Sequence, residues 1–270
     1  RTEPLPSCVR SCPLRPGLRP GFLRKLRGRS PLVGLSDHAT AVPTSDRRLR
    51  PGPFVRIRRP LPDVMGAEIA SLGRRFGAPI VRAVPLDDIA FDPVGNPSRF
   101  AEVCMVGRRP SGTLLLSTKT FYPPGAHRLP TGGIDAGEAI LAAVLRETRE
   151  ETGLTVQMLR FLAAISYLDG PAGPPVFHTF AFLLDEGGGT LGPLDLREQI
   201  SEYIEIRPHE LPVVADRLAA IRDDAAPGAT WSAWGRFRSV VHRIVAEALA
   251  SSPVRAEPRP RSGRTGRSGS

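Results

Sequence analysis

The sequence predicts an α/β protein in which a mixed sheet is packed between helices. Three observations point there. Runs rich in β-branched and aromatic residues sit on both sides of a central segment of high helix propensity between Gly137 and Gly153. The last strand-like run is followed by two helical segments, and the second of these carries a long apolar stripe. Glycine and proline clusters separate the runs at spacings that suit strand and helix ends. Strands flanking a helix, with further helices after the last strand, can bury their apolar faces as three layers.

In chain order, residues 66–76 predict a short amphipathic helix and 79–91 a strand with a turn at Asp87-Asp88. Residues 100–107 and 113–118 predict strands joined by a hairpin turn over Arg109-Pro-Ser-Gly112. After the approach through 122–130 comes a glycine turn at Gly132-Gly133. The central helix follows, with Gly153 placed as its left-handed C-cap. Residues 156–168 and 176–184 predict strands, and Gly187-Gly-Gly189 a loop. A short strand over 203–207 and a helix over 208–221 precede a strong helix over 231–250. That last helix places Trp231, Trp234, Phe237, Val241, Ile244, Val245 and Ala248 on one side, a stripe expected to be core.

Charge divides the chain into three parts. Residues 1–64 hold 14 basic and 4 acidic residues, 65–250 hold 18 and 22, and 251–270 hold 5 and 1. The overall charge of +10 thus belongs to the ends, and the middle part is slightly acidic. A nucleic-acid function based on whole-chain charge is therefore not expected of the folded part. Residues 1–64, dense in Arg, Pro and Gly, predict a disordered basic arm, and 251–270 a disordered basic tail. Met65 is the first methionine, and globular-looking sequence begins there, so the arm is expected to be upstream sequence outside the natural start. No run has the length of a membrane span, and the three cysteines form neither a disulfide framework nor a zinc site, so the cytoplasm is the expected compartment.

The chemistry concentrates between Gly132 and Leu154. At about 100° per residue, Glu147, Glu150 and Glu151 share an arc of the helix, while Leu141, Val144, Leu145, Thr148 and Thr152 form the stripe expected to be buried. Three neighbouring carboxylates repel one another and oppose the helix dipole, so they weaken the helix that carries them. Arg146, four residues before Glu150, offsets part of that repulsion.

Gly132, Glu138, Arg146-Glu147, Glu150-Glu151 and Gly153-Leu154 stand at the spacing Gly-x5-Glu-x7-Arg-Glu-x2-Glu-Glu-x-Gly-Leu. This resembles the signature of the Nudix hydrolases, and random composition would produce it on the order of once in a million chains. Two departures are local. Thr148 stands where the family usually has an aliphatic residue, and Thr131 separates Pro130 from the glycine pair. The resemblance implies an α/β/α sandwich with the box as a loop-helix-loop against the sheet. It also implies a Mg²⁺-dependent hydrolase, with Mn²⁺ as an alternative ion, that cleaves the pyrophosphate of a nucleoside diphosphate linked to another group, such as ADP-ribose or another nucleotide sugar. Hard cations let an acidic site hold a polyanion and lower the pKa of water.

Carried onto this chain, the resemblance gives Glu147, Glu150 and Glu151, with a backbone carbonyl at Gly132, as metal ligands. Glu147 or Glu151 is the base for water, and Arg146 orients the glutamates. Lys119 and Arg128, the basic residues nearest the box in sequence, are candidates to meet a phosphate. Glu198, Glu202 and Glu205 are candidates for a carboxylate outside the box, and Pro171 stands near the spacing at which ADP-ribose-cleaving members carry a proline. The expected partner is a small nucleotide, with neither membrane nor nucleic acid, and a homodimer is compatible with the sequence. The alternative is a nucleotide-sensing domain without turnover. Such a domain would be expected to lose one or more of the carboxylates, and all three remain.

Overall fold

The computed structural model describes residues 61–86, 99–225 and 230–251. The basic arm therefore lies outside the described residues except for its last four, and the basic tail except for Ser251. The elements are α1 (Asp63–Phe76), β1 (Ile80–Leu86), β2 (Ala101–Arg108), β3 (Leu114–Lys119), β4 (Thr131–Gly133), α2 (Ile140–Thr152), β5 (Leu154–Asp169), β6 (Pro175–Gly189), β7 (Ile200–Ile206), α3 (Leu211–Ala219) and α4 (Trp231–Ser251).

These strands make one mixed seven-stranded sheet in the order β1-β5-β6-β2-β3-β7, with β4 paired to β2. β5 and β6 form a long antiparallel hairpin, while β1 runs parallel to β5 and β2 parallel to β6. The alternation of side chains along β2 shows how the sheet separates two cores. Ala101, Val103 and Met105 face α1 and α2, together with Phe161, Phe180, Phe182, Ile140 and Val144. Cys104 and Val106 face α3 and α4, together with Leu218, Trp234, Phe237 and Val241. The whole predicted stripe of α4 is buried. This is the expected α/β/α arrangement.

Two local expectations are corrected. Gly187–Gly189 is strand rather than loop, with Gly188 opposite Thr155 and Gly189 opposite Leu154. A side chain at 189 would lie 2.6 Å from the Gly153 carbonyl oxygen, so glycine there permits backbones to approach, not to wander. In α2 the buried residues are Ile140, Ala143, Val144, Glu147, Thr148, Glu151 and Thr152, whereas Leu145 is exposed. Their spacing is strictly helical, and two of the glutamates occupy the core-facing stripe. The stripe expected from hydrophobicity leaves both of them out and includes Leu145 instead.

Candidate functional site

The site is assembled where β4 enters the turn before α2. Gly137 and Gly153 adopt positive φ, the first closing the turn and the second ending the helix with its N–H on the Arg149 carbonyl. Ala139, at the N-cap of α2, offers no side-chain acceptor. Glu68 of α1 supplies one, accepting from the Ile140 and Leu141 N–H groups at 3.1 and 3.3 Å. Thr148, the departure from the box, is buried and donates to the Val144 carbonyl at 2.6 Å. Its hydroxyl is thus satisfied within the helix.

Arg146 is the hub of the carboxylates. Its guanidinium donates to both Glu138 oxygens at 2.8 and 2.7 Å, to Glu147 Oε1 at 2.9 Å, to Glu150 Oε2 at 3.1 Å and to the Gly133 carbonyl at 3.0 Å. One planar cation thereby spans the loop and one turn of the helix. The bond from Arg146 holds the Glu138 carboxyl below the ordinary range. Glu147 behaves oppositely: burial raises its pKa to about 7, against the pull of Arg146. Its carboxyl lies against Gly132, in the space a side chain there would need.

Glu151 is the most deeply placed carboxylate, and burial raises its pKa against the opposing effect of Arg128 and Lys119. Neither of its oxygens has a hydrogen-bond partner; the nearest cation, Lys119 Nζ, stands 3.3 Å from Oε1. Lys119 also donates to Glu198 at 2.7 Å. Burial would push Glu198 up, but Lys119 outweighs it and brings that carboxyl below the ordinary range. Tyr203 donates its hydroxyl to the Glu151 backbone carbonyl.

The three carboxylates left open outside the box now separate by place. Glu198 joins Lys119 and Glu151, Glu202 pairs with His127, and Glu205 with Arg109 and Thr113. Pro171 is exposed in the turn that joins β5 to β6. Arg128 is not a surface residue. It is buried, stacks over Tyr122, and donates to Tyr122, the Leu129 carbonyl and Thr131. Among the described residues no three carboxylate, histidine or cysteine side chains converge at metal-ligand distance. Glu147 and Glu150 turn to Arg146, and Glu198 turns to Lys119.

Sequence reasoning missed a second layer of the site. Glu102 on β2 takes both of its oxygens to Arg238 on α4, at 2.7 and 2.8 Å, and accepts from Thr179 at 3.0 Å. His242, one turn further along α4, donates from Nδ1 to the Arg238 carbonyl and accepts the Leu129 N–H at Nε2. Its burial, against the pull of that carbonyl bond, lowers its pKa to about 3, so it stays neutral. No local spacing marks these residues, because 136 positions separate Glu102 from Arg238. The only sequence signal was polar residues interrupting apolar runs.

Residues 98–227 match the family model described as NUDIX domain. The chain is similar to the NAD-capped RNA hydrolase NudC of Photobacterium profundum, at 29% identity over 119 residues, 44% of this chain and 42% of that protein. It is also similar to NudC of Vibrio atlanticus, at 32% identity over 89 residues, 33% of this chain and 31% of that protein. The matched segment thus spans less than half the length of these curated relatives. Among solved structures, a MutT protein from Methanosarcina mazei Go1 has 19% identity and a TM-score of 0.34, covering 55% of this chain and 94% of that one. The family match encloses the whole box from Gly132 to Leu154, so the chain carries a NUDIX domain over that segment.

Proposed function

We propose that this hydrolase cleaves the pyrophosphate bond of a nucleoside diphosphate linked to another moiety, in a reaction that depends on Mg²⁺ or Mn²⁺. The observation that carries the reading is Glu151: a buried carboxylate with no hydrogen-bond partner, with Lys119 as its nearest cation. A buried carboxylate without hydrogen-bond donors is costly, and the single ammonium of Lys119, shared with Glu198, leaves room for a further cation to complete it. The donor set fits a hard divalent ion, with Glu147, Glu150 and Glu151 as carboxylate ligands and Gly132 offering a carbonyl. Such an ion, when bound, neutralises phosphate charge and lowers the pKa of water.

The chain's own residues do the rest. Arg146 holds Glu147 and Glu150 on one side of the glycine turn, and through Gly133 it ties the turn to the helix. Glu147 or Glu151 accepts the proton of the attacking water. The water oxygen bonds to phosphorus, the bridging P–O bond breaks, and its electron pair leaves with the second phosphate. Glu147, with its pKa near 7, is suited to take a proton near neutrality. Lys119 and Arg128 stand beside Glu151 where a phosphate can be met, and Glu198 is the carboxylate from outside the box.

We also propose that the hydrolase unit is residues 65–250, flanked by disordered basic ends, and that it acts in the cytoplasm on a small nucleotide, as a monomer or homodimer. No described helix is long and apolar enough to cross a membrane. The test is phosphate-ester product from a panel of nucleotide sugars, dinucleotides, nucleoside triphosphates and NAD-capped RNA, with Mg²⁺ and with EDTA. Turnover that EDTA abolishes supports the proposal. Nucleotide binding without turnover on any substrate would instead establish a sensing domain.

A further inference from the structure

A cleft of about 330 Å³ opens beside Gly132 and Gly133. Four cations, Arg99, Lys119, Arg128 and Arg238, line it, against one carboxylate, Glu102. Lys119 is taken up by Glu151 and Glu198, but the three arginines are not exhausted. Arg99 lies over the backbone of Gly133, where an added Cβ would stand 2.5 Å from its guanidinium, and makes no ion pair or hydrogen bond among the described residues. Arg128, 2% exposed, uses Nε and Nη1 and leaves Nη2 uncommitted. Arg238, 8% exposed, gives only Nη1 to Glu102, and its buried Nε has no partner.

The wall therefore offers spare guanidinium donors and no spare carboxylate, since Glu102 is spent on Arg238 and Thr179. Sugar hydroxyls both donate and accept, so a neutral sugar would leave its own donors without that acceptor. A phosphate only accepts, and guanidinium forks match its oxygens in pairs. We propose that this cleft receives a phosphate group of the substrate beyond the two joined by the scissile bond. The substrate class is then a nucleotide with three or more phosphates, in preference to a nucleotide sugar. The inference rests on the pyrophosphohydrolase reading for the scissile bond. Exposed Phe121 lines the same cleft and gives an aromatic face on which a base can stack.

The experiment compares ADP-ribose with diadenosine di-, tri- and tetraphosphate on wild type and Arg99→Gln. It also measures binding of inorganic tripolyphosphate to both proteins in EDTA by calorimetry. Arg99 is exposed and makes no ion pair among the described residues, so the substitution is expected to leave the fold intact, which an unchanged melting temperature verifies. Wild type is expected to favour the tri- and tetraphosphate by about tenfold or more in kcat/KM. Arg99→Gln should lose about tenfold on those two through KM, and less than about threefold on ADP-ribose. Tripolyphosphate binding should weaken in parallel. Equal kcat/KM across the series, or an equal loss on two-phosphate substrates, would mean that the arginines serve the scissile pyrophosphate itself and would overturn the proposal. If no substrate is hydrolysed, the scissile-bond reading fails, and tripolyphosphate binding with its Arg99 dependence still decides the cleft.

Discussion

The Glu147 carboxyl occupies the space that a side chain on Gly132 would fill: a Cβ built there would fall inside the carboxyl group. Fifteen residues apart in sequence, the two therefore form a single unit, and the glycine is required by its partner rather than by its own backbone angles, which are not among the positive-φ set. Gly132→Ala should displace Glu147, whose remaining room is limited by Arg146 and the core beneath α2. We expect kcat to fall by about 100-fold or more, out of proportion to a loss of stability of roughly 1–3 kcal/mol for a small-to-large change in a packed site. Kinetics and thermal melting on the same preparation test this, and unchanged kcat would separate Glu147 from catalysis.

Arg146 should be sensitive in both properties at once. Arg146→Ala leaves Glu138 and Glu147 without their cation and frees the Gly133 carbonyl. The expected cost is about 1–3 kcal/mol, a fall of several degrees in Tm. Arg146→Lys should recover part of the stability but little activity, because an ammonium cannot make the fork to Glu138 while reaching Glu147 and Glu150. Full activity in the lysine variant would remove the orienting role.

The box was legible because its residues are close in sequence and bear charges at helical spacing, and most strands were legible from their β-branched and aromatic runs. What was not legible has a common physical cause. A periodicity argument places glutamates on the solvent side, since burying a charge is costly, yet Glu147 and Glu151 lie on the same stripe as Val144 and Thr148. The mismatch between sequence and burial is itself the signature of a site that expects a ligand. Glu102, Arg238 and His242 could not be found at all, because β2 and α4 meet only through the fold. The choice of Glu198 over Glu202 and Glu205 likewise depended on the direction in which β7 and the turn before it present each carboxylate.

The raised pKa of Glu147 carries a pH signature in the ion-free protein. A carboxyl held at about 7 when folded, against 4.5 when unfolded, contributes stability that is fully present below the unfolded value and is lost as pH rises through the folded one. In EDTA, the stability of wild type relative to Glu147→Gln should therefore decline between about pH 5 and pH 8, by at most about 3 kcal/mol. Denaturant melts of the two proteins across that range measure it. A flat difference would show that Glu147 ionises normally in the fold.

Glu68 ties α1, outside the family match, to the helix that carries the carboxylates. Glu68→Ala should remove this cap of α2 and lower stability by about 1 kcal/mol. Glu68→Gln keeps an acceptor oxygen and should restore part of it. If both variants melt as wild type, water caps this helix adequately and α1 contributes only its apolar face.

Glu151 gives the sharpest separation of roles. In the ion-free protein its charge is a liability: it is buried, its oxygens have no hydrogen-bond partner, and burial has raised its pKa. Glu151→Gln removes that charge at constant size, while Lys119 keeps Glu198 as a partner. Stability in EDTA should therefore hold or rise. With Mg²⁺ the order should reverse. Wild type should gain melting temperature as the ion binds, by an amount that grows with concentration, and Glu151→Gln should gain little. The same substitution should cost kcat about 100-fold or more, since a lost charge-assisted contact of a few kcal/mol corresponds to at least that factor. Glu150→Gln should share the loss of activity with a smaller change in EDTA stability, because Glu150 is half-exposed and already paired with Arg146. A Glu151→Gln protein that turns over normally and still responds to Mg²⁺ would leave the buried carboxylate as a structural oddity and sink the assignment of the metal site.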